Sequence, residues 1–276
     1  MSLSILNNIS SLQAENALNT TQMNLNNTLQ QLSTGQRINS GADDPAGLAI
    51  ANGLQANVTA LTQSVQNASD GVGYLQVADG ALSQITTLLN QAVSVATEAA
   101  SGTVSSSQRT SLDNEFQSIK TEITTIGQTT TYNGAAVFGA GTLTIFMSDS
   151  SSAGTASVTV GVVTVDAGHL NGVSLTADAL TTAAAATSAL TDINSAIADV
   201  AALRGTLGAS SNQLQAATNV MNNQISNVQN AESGIMDADI GKTTANLSKY
   251  TILQQTGIAA LQQSNQMQQG VLKLLQ

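Results

Sequence analysis

Apolar residues recur along most of this chain at the spacing of packed helices, in three separate runs. In the first, Leu54, Val58, Leu61, Val65, Ala68, Val72 and Leu75 alternate steps of four and three, the seam of a coiled coil. The alternation slips at Ala78, where two steps of three follow one another, and resumes through Leu82, Ile85, Leu89, Ala92, Ala96 and Ala99. Such a slip drops four residues from the heptad phase and overwinds the supercoil locally. Gly71, Gly73 and Gly80 cluster there. Each costs about 1 kcal/mol against alanine inside a helix, so their presence predicts a bend or a small-residue contact. At 1.5 Å per residue the 54–99 helix would be about 70 Å long, and it cannot bury its seam without partners of similar length.

The chain supplies those partners. Leu112, Phe116, Ile119, Ile123 and Ile126 repeat the pattern after a Ser-rich turn over 102–108. A third seam runs through Leu190, Ile193, Ile197, Val200, Leu207, Leu214, Met221, Ile225, Val228 and Ile235. The fold class that follows is mainly α, an elongated antiparallel helical bundle or coiled coil.

Over 127–180 the period changes. Tyr132-Asn133-Gly134 is a turn signal, 143–147 reads as a strand, and 157–165 alternates with period two. A small β-hairpin region is expected, too short for a catalytic domain.

The two ends form a class of their own. Leu18, Leu25 and Leu32 recur every seven residues with Leu29 beside them, and Leu247, Tyr250, Ile258, Leu261, Val271, Leu272 and Leu275 follow a Gln-rich helical pattern. Two readings stand side by side: Asn/Gln-rich solvating tails, or amphipathic helices that order on assembly. The leucine spacing is too regular for a pure solvating tail.

Charge sharpens that choice. Of 276 residues, 7 are Lys or Arg and 17 Asp or Glu, or 9%, where a soluble domain carries about 25%. Residues 1–36 hold only Glu15, and 247–276 only Lys249 and Lys273. In a homopolymer a charge on a packed surface is repeated in every subunit, and an unpaired one loses its hydration without compensation. Asn, Gln, Ser and Thr hydrogen-bond across such contacts without that cost. Scarce aromatics, 2% with no Trp, leave Ala, Leu, Ile and Val to make the core.

Other chemistry is thin. A net charge of −10 with scattered cations excludes a nucleic-acid stripe. Absence of Cys removes thiolate chemistry. No apolar run is long enough for membrane insertion, and the first residues carry no cleavable signal pattern. His169, the single histidine, reads as a surface-loop residue. Asp43, Asp44, Asp237 and Asp239 are explained by capping, with Asp44 as N-cap, Pro45 at the first helical position and Gly35 closing the preceding helix. Arg37 and Arg204 are each expected to meet a carboxylate. No cofactor or catalytic group is expected.

The string over 32–50, Leu-Ser-Thr-Gly-Gln-Arg-Ile-Asn-Ser-Gly-Ala-Asp-Asp-Pro-Ala-Gly-Leu-Ala-Ile, closely resembles the hallmark segment of bacterial flagellins. The resemblance continues in Ile5-Leu-Asn-Asn-Ile-Ser-Ser-Leu12, in 230–240 and in the Val-Leu-Lys-Leu-Leu run ending at Leu275. It covers roughly 1–140 and 180–276, and 141–180 matches poorly. Departures are Gly234 in place of an arginine, Gly241-Lys-Thr-Thr in place of a carboxylate-bearing stretch, and Gln268 in place of a proline.

The resemblance implies a hairpin-shaped chain with paired N- and C-termini. It implies an inner terminal coiled-coil domain of 1–40 plus 241–276, and a rod-like helical domain over 41–240 containing the 127–180 variable region, without large outer domains. It further implies a non-enzymatic subunit that self-polymerises into the flagellar filament, outside the cell, for swimming motility. Expected partners are identical subunits, a flagellar export chaperone, the type III export apparatus, and hook-associated and cap proteins. Leu18, Leu25, Leu32, Arg37, Asp43, Asp44, Pro45, Ile258, Leu261, Val271, Leu272 and Leu275 are expected at polymerisation contacts. Leu247, Leu253, Ile258, Leu261, Leu272 and Leu275 are expected in a chaperone-binding segment. Over 89–95 the family's arginine-bearing toll-like receptor patch is replaced by Leu-Asn-Gln-Ala-Val-Ser-Val, so weak or absent receptor activation is expected. A hook–filament junction protein and a secreted adhesin using the hairpin are the alternatives.

Overall fold

The structure is a computed structural model that describes residues 8–139, 141–148, 157–170 and 173–274. Five helices carry it: α1 (Ile9–Thr34), α2 (Pro45–Ala100), α3 (Ser106–Thr129), α4 (Ala183–Met236) and α5 (Ile240–Leu274). Between α3 and α4 lie three short antiparallel pairs, β1 (Thr131–Tyr132) with β2 (Ala135–Ala136), β3 (Gly141–Phe146) with β4 (Ser157–Val162), and β5 (Val165–Asp166) with β6 (His169–Leu170). The mainly helical class read from the seams is the class observed. The chain divides into two compact units: a central one over Asn57–Ser226, and a terminal one made of Met1–Ala56 and Asn227–Gln276.

The central unit holds the large hydrophobic core. From α2 it takes Leu61, Ala68, Leu75, Ala78, Leu82, Ile85, Leu89, Ala92, Ala96 and Ala99, the seam positions on both sides of the heptad slip. From α3 come Phe116, Ile119 and Ile123, and from α4 Ile193, Val200, Leu207, Leu214 and Met221. Buried alanines on α2 and α4, such as Ala96 and Ala99 or Ala186, Ala189 and Ala196, let these helices approach closely where aromatics are scarce.

Of the bend or small-residue contact expected at the glycines, the structure shows the contact, and α2 runs through them unbroken. A Cβ on Gly71 would collide with the Ile145 side chain, and one on Gly73 would sit 3.1 Å from the Tyr132 hydroxyl. Those two glycines are seats for the strand region, while Gly80 faces open space. Gly127 is tighter still: a Cβ there would run into the Val165 main-chain carbonyl, so β5 lies directly on α3.

The Tyr132-Asn133-Gly134 turn forms as predicted, with Asn133 at φ 49° and Gly134 at φ 79°. Its Tyr132 ring meets Tyr74 edge-on, centroids 5.8 Å apart, and the Tyr74 hydroxyl donates to the Val137 carbonyl at 2.6 Å. In β4, Val158 and Val160 point inward, as period two requires. The 157–165 alternation is split, however. β4 ends at Val162, and Val165–Asp166 pairs with His169–Leu170 instead. Asp166 Oδ1 accepts from Gly168 N at 2.7 Å and closes that turn, so His169 lies at a strand edge rather than in an open loop. Its side chain is 74% exposed, with Nδ1 3.2 Å from Asp166. α3 starts within the expected turn, at Ser106, because Ser105 and Gln108 form a reciprocal capping box.

Candidate functional site: the terminal helices and their connectors

In the terminal unit α1 and α5 pair antiparallel, and polar side chains fix their register. Asn8 Nδ2 donates to Gln268 Oε1 at 3.3 Å, Ser264 Oγ to Asn8 Oδ1 at 3.2 Å, and Gln254 Nε2 to Gln22 Oε1 at 2.6 Å. Asn8 also caps α1, accepting from Ser11 N at 3.0 Å. Gly257 lets the helices approach: a Cβ there would sit 3.2 Å from Leu18 Cδ1. None of these polar partners was expected as a contact from the sequence. Neutral amides without a periodic signature give no sign of what they face, and Gln268 bonds across the pair at the position where the family's proline was missing.

The heptad leucines of α1 divide. Leu25 is buried, Leu18 and Leu32 are half-buried, and Leu29 is 46% exposed. On α5, Leu247 and Leu261 are half-buried, while Leu253 and Ile258 are each 44% exposed. Val271 and Leu272 lie in the last turn of α5, and Leu275 falls outside the described residues.

The two connectors meet beside this pair. Gly35, in the left-handed conformation at φ 73°, closes α1 and donates to the Gln31 carbonyl. Gln36 then bridges antiparallel to Asp237, with Arg37 N donating to the Met236 carbonyl at 2.6 Å and Ala238 N to the Gly35 carbonyl at 2.9 Å. The anticipated Arg37–carboxylate contact does not form among the described residues. Its guanidinium donates to the Ile235 carbonyl at 2.6 Å, one of the end carbonyls of α4 that no helical N–H reaches. A cation there also complements the helix dipole. Arg204, in the central unit, does meet its carboxylate, pairing with Asp79 at 2.7 and 3.2 Å.

The paired aspartates have separate local tasks. Asp43 Oδ2 accepts from Asn39 N, Ser40 N and Ser40 Oγ at 3.1, 2.8 and 3.0 Å, and these bonds, that from Asn39 first, hold its pKa below the usual carboxylate value. Asp44 Oδ1 accepts from Gly47 N at 2.9 Å as the N-cap of α2, with Pro45 as the first helical residue. Gly47 is required there, since a Cβ would strike both Asp44 and the buried Ile38. Asp239 caps α5 through Lys242 N at 3.1 Å, and Asp237 accepts from Ser233 Oγ. Carboxylates so engaged are structural, and among the described residues no cluster could hold a metal ion.

The unit also leaves large apolar side chains uncovered among its polar ones. Ile9, Leu12, Met23, Ile50, Ile252 and Met267 are each at least 56% exposed, on surfaces almost without charge. Among the described residues no helix is long and apolar enough to cross a membrane.

Comparison with known proteins places the chain against one family. Residues 5–142 match the model of the bacterial flagellin N-terminal helical region, and 190–275 that of the C-terminal helical region. The B-type flagellin of Pseudomonas aeruginosa is 40% identical over 134 residues, covering 49% of this chain and 28% of that protein. Flagellin 1 of Proteus mirabilis is 42% identical over 130 residues, 47% of this chain and 36% of that protein. The chain thus aligns with about a third of the length of these relatives. The crystal structure of Bacillus cereus flagellin superposes with a TM-score of 0.49 and 27% identity, covering 56% of this chain and 88% of that one.

Proposed function

This chain belongs to the bacterial flagellin family, and we propose that it is a structural subunit that polymerises through its terminal unit into the flagellar filament. The observation that carries the reading is the surface of that unit: large apolar side chains such as Ile9, Leu12, Ile252 and Met267 stand exposed on helices whose polar faces are Asn, Gln, Ser and Thr. An apolar surface without charge is suited to repeated contact with copies of itself. Such contacts are heterologous and, with a rotation that does not close into a ring, propagate a helical polymer.

In this reading the inner layer of the filament is built from 1–40 with 241–276, and the 41–240 helices form the next layer out. Leu253 and Ile258, exposed on α5, and the Arg37–Pro45 connector provide contacts between subunits. The role is mechanical, serving swimming motility, and no catalytic step is involved. The subunit is exported through the flagellar type III apparatus with a chaperone on the 247–276 segment, and it acts outside the cell beside hook-associated and cap proteins. Activation of the flagellin-sensing toll-like receptor is weak or absent, because no arginine stands in 89–95.

Electron microscopy of the purified full chain after nucleation tests the proposal. Long filaments of uniform width are expected, and a chain that stays monomeric or forms amorphous aggregate under all nucleating conditions contradicts it.

A further inference from the structure

The methionines of this chain fall into two environments. Met23 on α1 and Met267 on α5 are 60% and 58% exposed. Met147 and Met221, in the core of the central unit, are 7% and 4% exposed, and Met236 at the end of α4 is half-buried. Met1 falls outside the described residues.

The register of the terminal pair sets each open methionine level with other open apolar side chains. Asn8 Nδ2 donates to Gln268 Oε1 at 3.3 Å and Ser11 Oγ to Asn265 Oδ1 at 3.5 Å, so Met267 lies at the level of Ile9 and Leu12. The Gln254–Gln22 bond of 2.6 Å likewise sets Met23 at the level of Ile252. Ile9, Leu12 and Ile252 are all exposed. A thioether suits such a place while it stays reduced, being apolar, flexible and able to fit an irregular contact.

We propose that Met23 and Met267 are oxidation sites that gate assembly: a peroxide converts their thioethers to sulfoxides in the free subunit, and a subunit so modified is excluded from the polymer. This rests on the polymerisation reading above. In the reaction a sulfur lone pair attacks one peroxide oxygen, and the S–O bond forms as the O–O bond breaks. The departing hydroxide takes the remaining proton and leaves as water, so the sulfur loses two electrons and the peroxide gains two. The product turns an apolar side chain into a polar one. Its S=O group is an acceptor that the hydrocarbon side chains of Ile9, Leu12 and Ile252, without N–H or O–H, cannot satisfy. Water hydrates that oxygen in the free subunit, and a neighbouring copy that covers it removes the hydration without return. Met147 and Met221 are reached only when the central core opens, which makes oxidation selective for the two open sites. Contact with a copy covers the same sulfurs, so the assembled subunit is shielded. A reductase that supplies two electrons from a dithiol, one enzyme for each sulfoxide epimer, reverses the change.

Limited treatment of the monomeric full chain with hydrogen peroxide tests it, followed by nucleation, sedimentation and peptide mass spectrometry of pellet and supernatant. Sulfoxide is expected to form at Met23 and Met267 about tenfold faster than at Met147 and Met221. Chains that carry it at either open site are expected to be enriched about tenfold in the supernatant, the factor that one unsatisfied acceptor produces. Equal rates at all four residues, or sulfoxide at Met23 and Met267 shared equally between pellet and supernatant, overturns the proposal. An untreated arm separates that outcome from failure of the filament reading. If untreated chain sediments while sulfoxide is shared equally, only the gate falls; if untreated chain never sediments, both fall. In the double variant Met23→Leu, Met267→Leu, which removes the thioethers and keeps their apolar volume, peroxide is expected to leave the sedimented fraction at the variant's own untreated level. A loss as large as that of the wild type overturns the assignment to these two residues, and the sorting of oxidised wild type decides the matter even where the variant does not polymerise.

Discussion

In the central unit the seven-residue ladder Ile193, Val200, Leu207, Leu214 and Met221 is 5% exposed or less at every rung. In the terminal unit the corresponding ladder Leu18, Leu25 and Leu32 has one buried rung between two half-buried ones, and Ile9, Leu12, Met23, Ile252 and Met267 stand open. The same heptad grammar gives a closed core where three seams meet within one chain, and an open one where only α1 and α5 pair. Charge does not follow the division into units, being as dense in the terminal unit as in the central one, but it is scarce in the stretches 1–36 and 247–276, which hold just Glu15, Lys249 and Lys273. Low charge is thus a local property of the ends, where a neighbouring copy would otherwise have to desolvate it.

The comparison breaks most visibly if the ends are removed. A chain lacking 247–276 is expected to lose polymerisation entirely in a sedimentation assay while the central unit keeps its cooperative thermal transition. Retained filaments would show that the terminal pair is dispensable.

Single side chains sharpen the contrast. Phe116→Ala, at a fully buried position, is expected to lower the stability of the central unit by about 3–5 kcal/mol in denaturant melts. Ile258→Ala, at a site 44% exposed, should change monomer stability by less than about 0.5 kcal/mol yet raise the concentration needed for polymerisation. Equal effects of the two variants on the monomer would erase the distinction.

A smaller effect is expected at the Arg204–Asp79 pair, whose side chains are 37% and 46% exposed. Arg204→Ala should cost about 0.2–1 kcal/mol in the same melts, less at high salt. The smallest effect is at the Asp43 connector. Its pKa is held down in the folded chain, so its contribution is present above the unfolded value and lost as pH falls through the folded one. Amide exchange at Asn39 and Ser40 should quicken in acid relative to intrinsic rates.

Much of this was legible in the sequence because it rests on period and on cap chemistry. The α2 seam continues through its heptad slip, the Asp44-Pro45 start of α2 forms, and Asn133-Gly134 turns as its residue types require. What escaped depends on long-range partners. Arg37 was matched by charge to a carboxylate, but the open carbonyl at the end of α4 lies 198 residues away and leaves no mark on the local pattern. Lys120 was not singled out, yet it is 6% exposed and donates to the Leu175, Thr176 and Asp178 carbonyls. Its signal was present in the spacing, since it lies four residues after Phe116 and three before Ile123, on the flank of the seam. The splitting of 157–165 turned on Asp166 closing a turn on Gly168, which alternation alone does not reveal.

Hydrogen exchange on the full chain as monomer and as sedimented polymer tests the central claim most directly. If copies of the chain complete the terminal unit, amides of α1 and α5 gain protection on polymerisation by several orders of magnitude, and those in the core of α2, α3 and α4 within 57–226 change little. Protection that rises equally in both units, or only in the central one, would contradict the account.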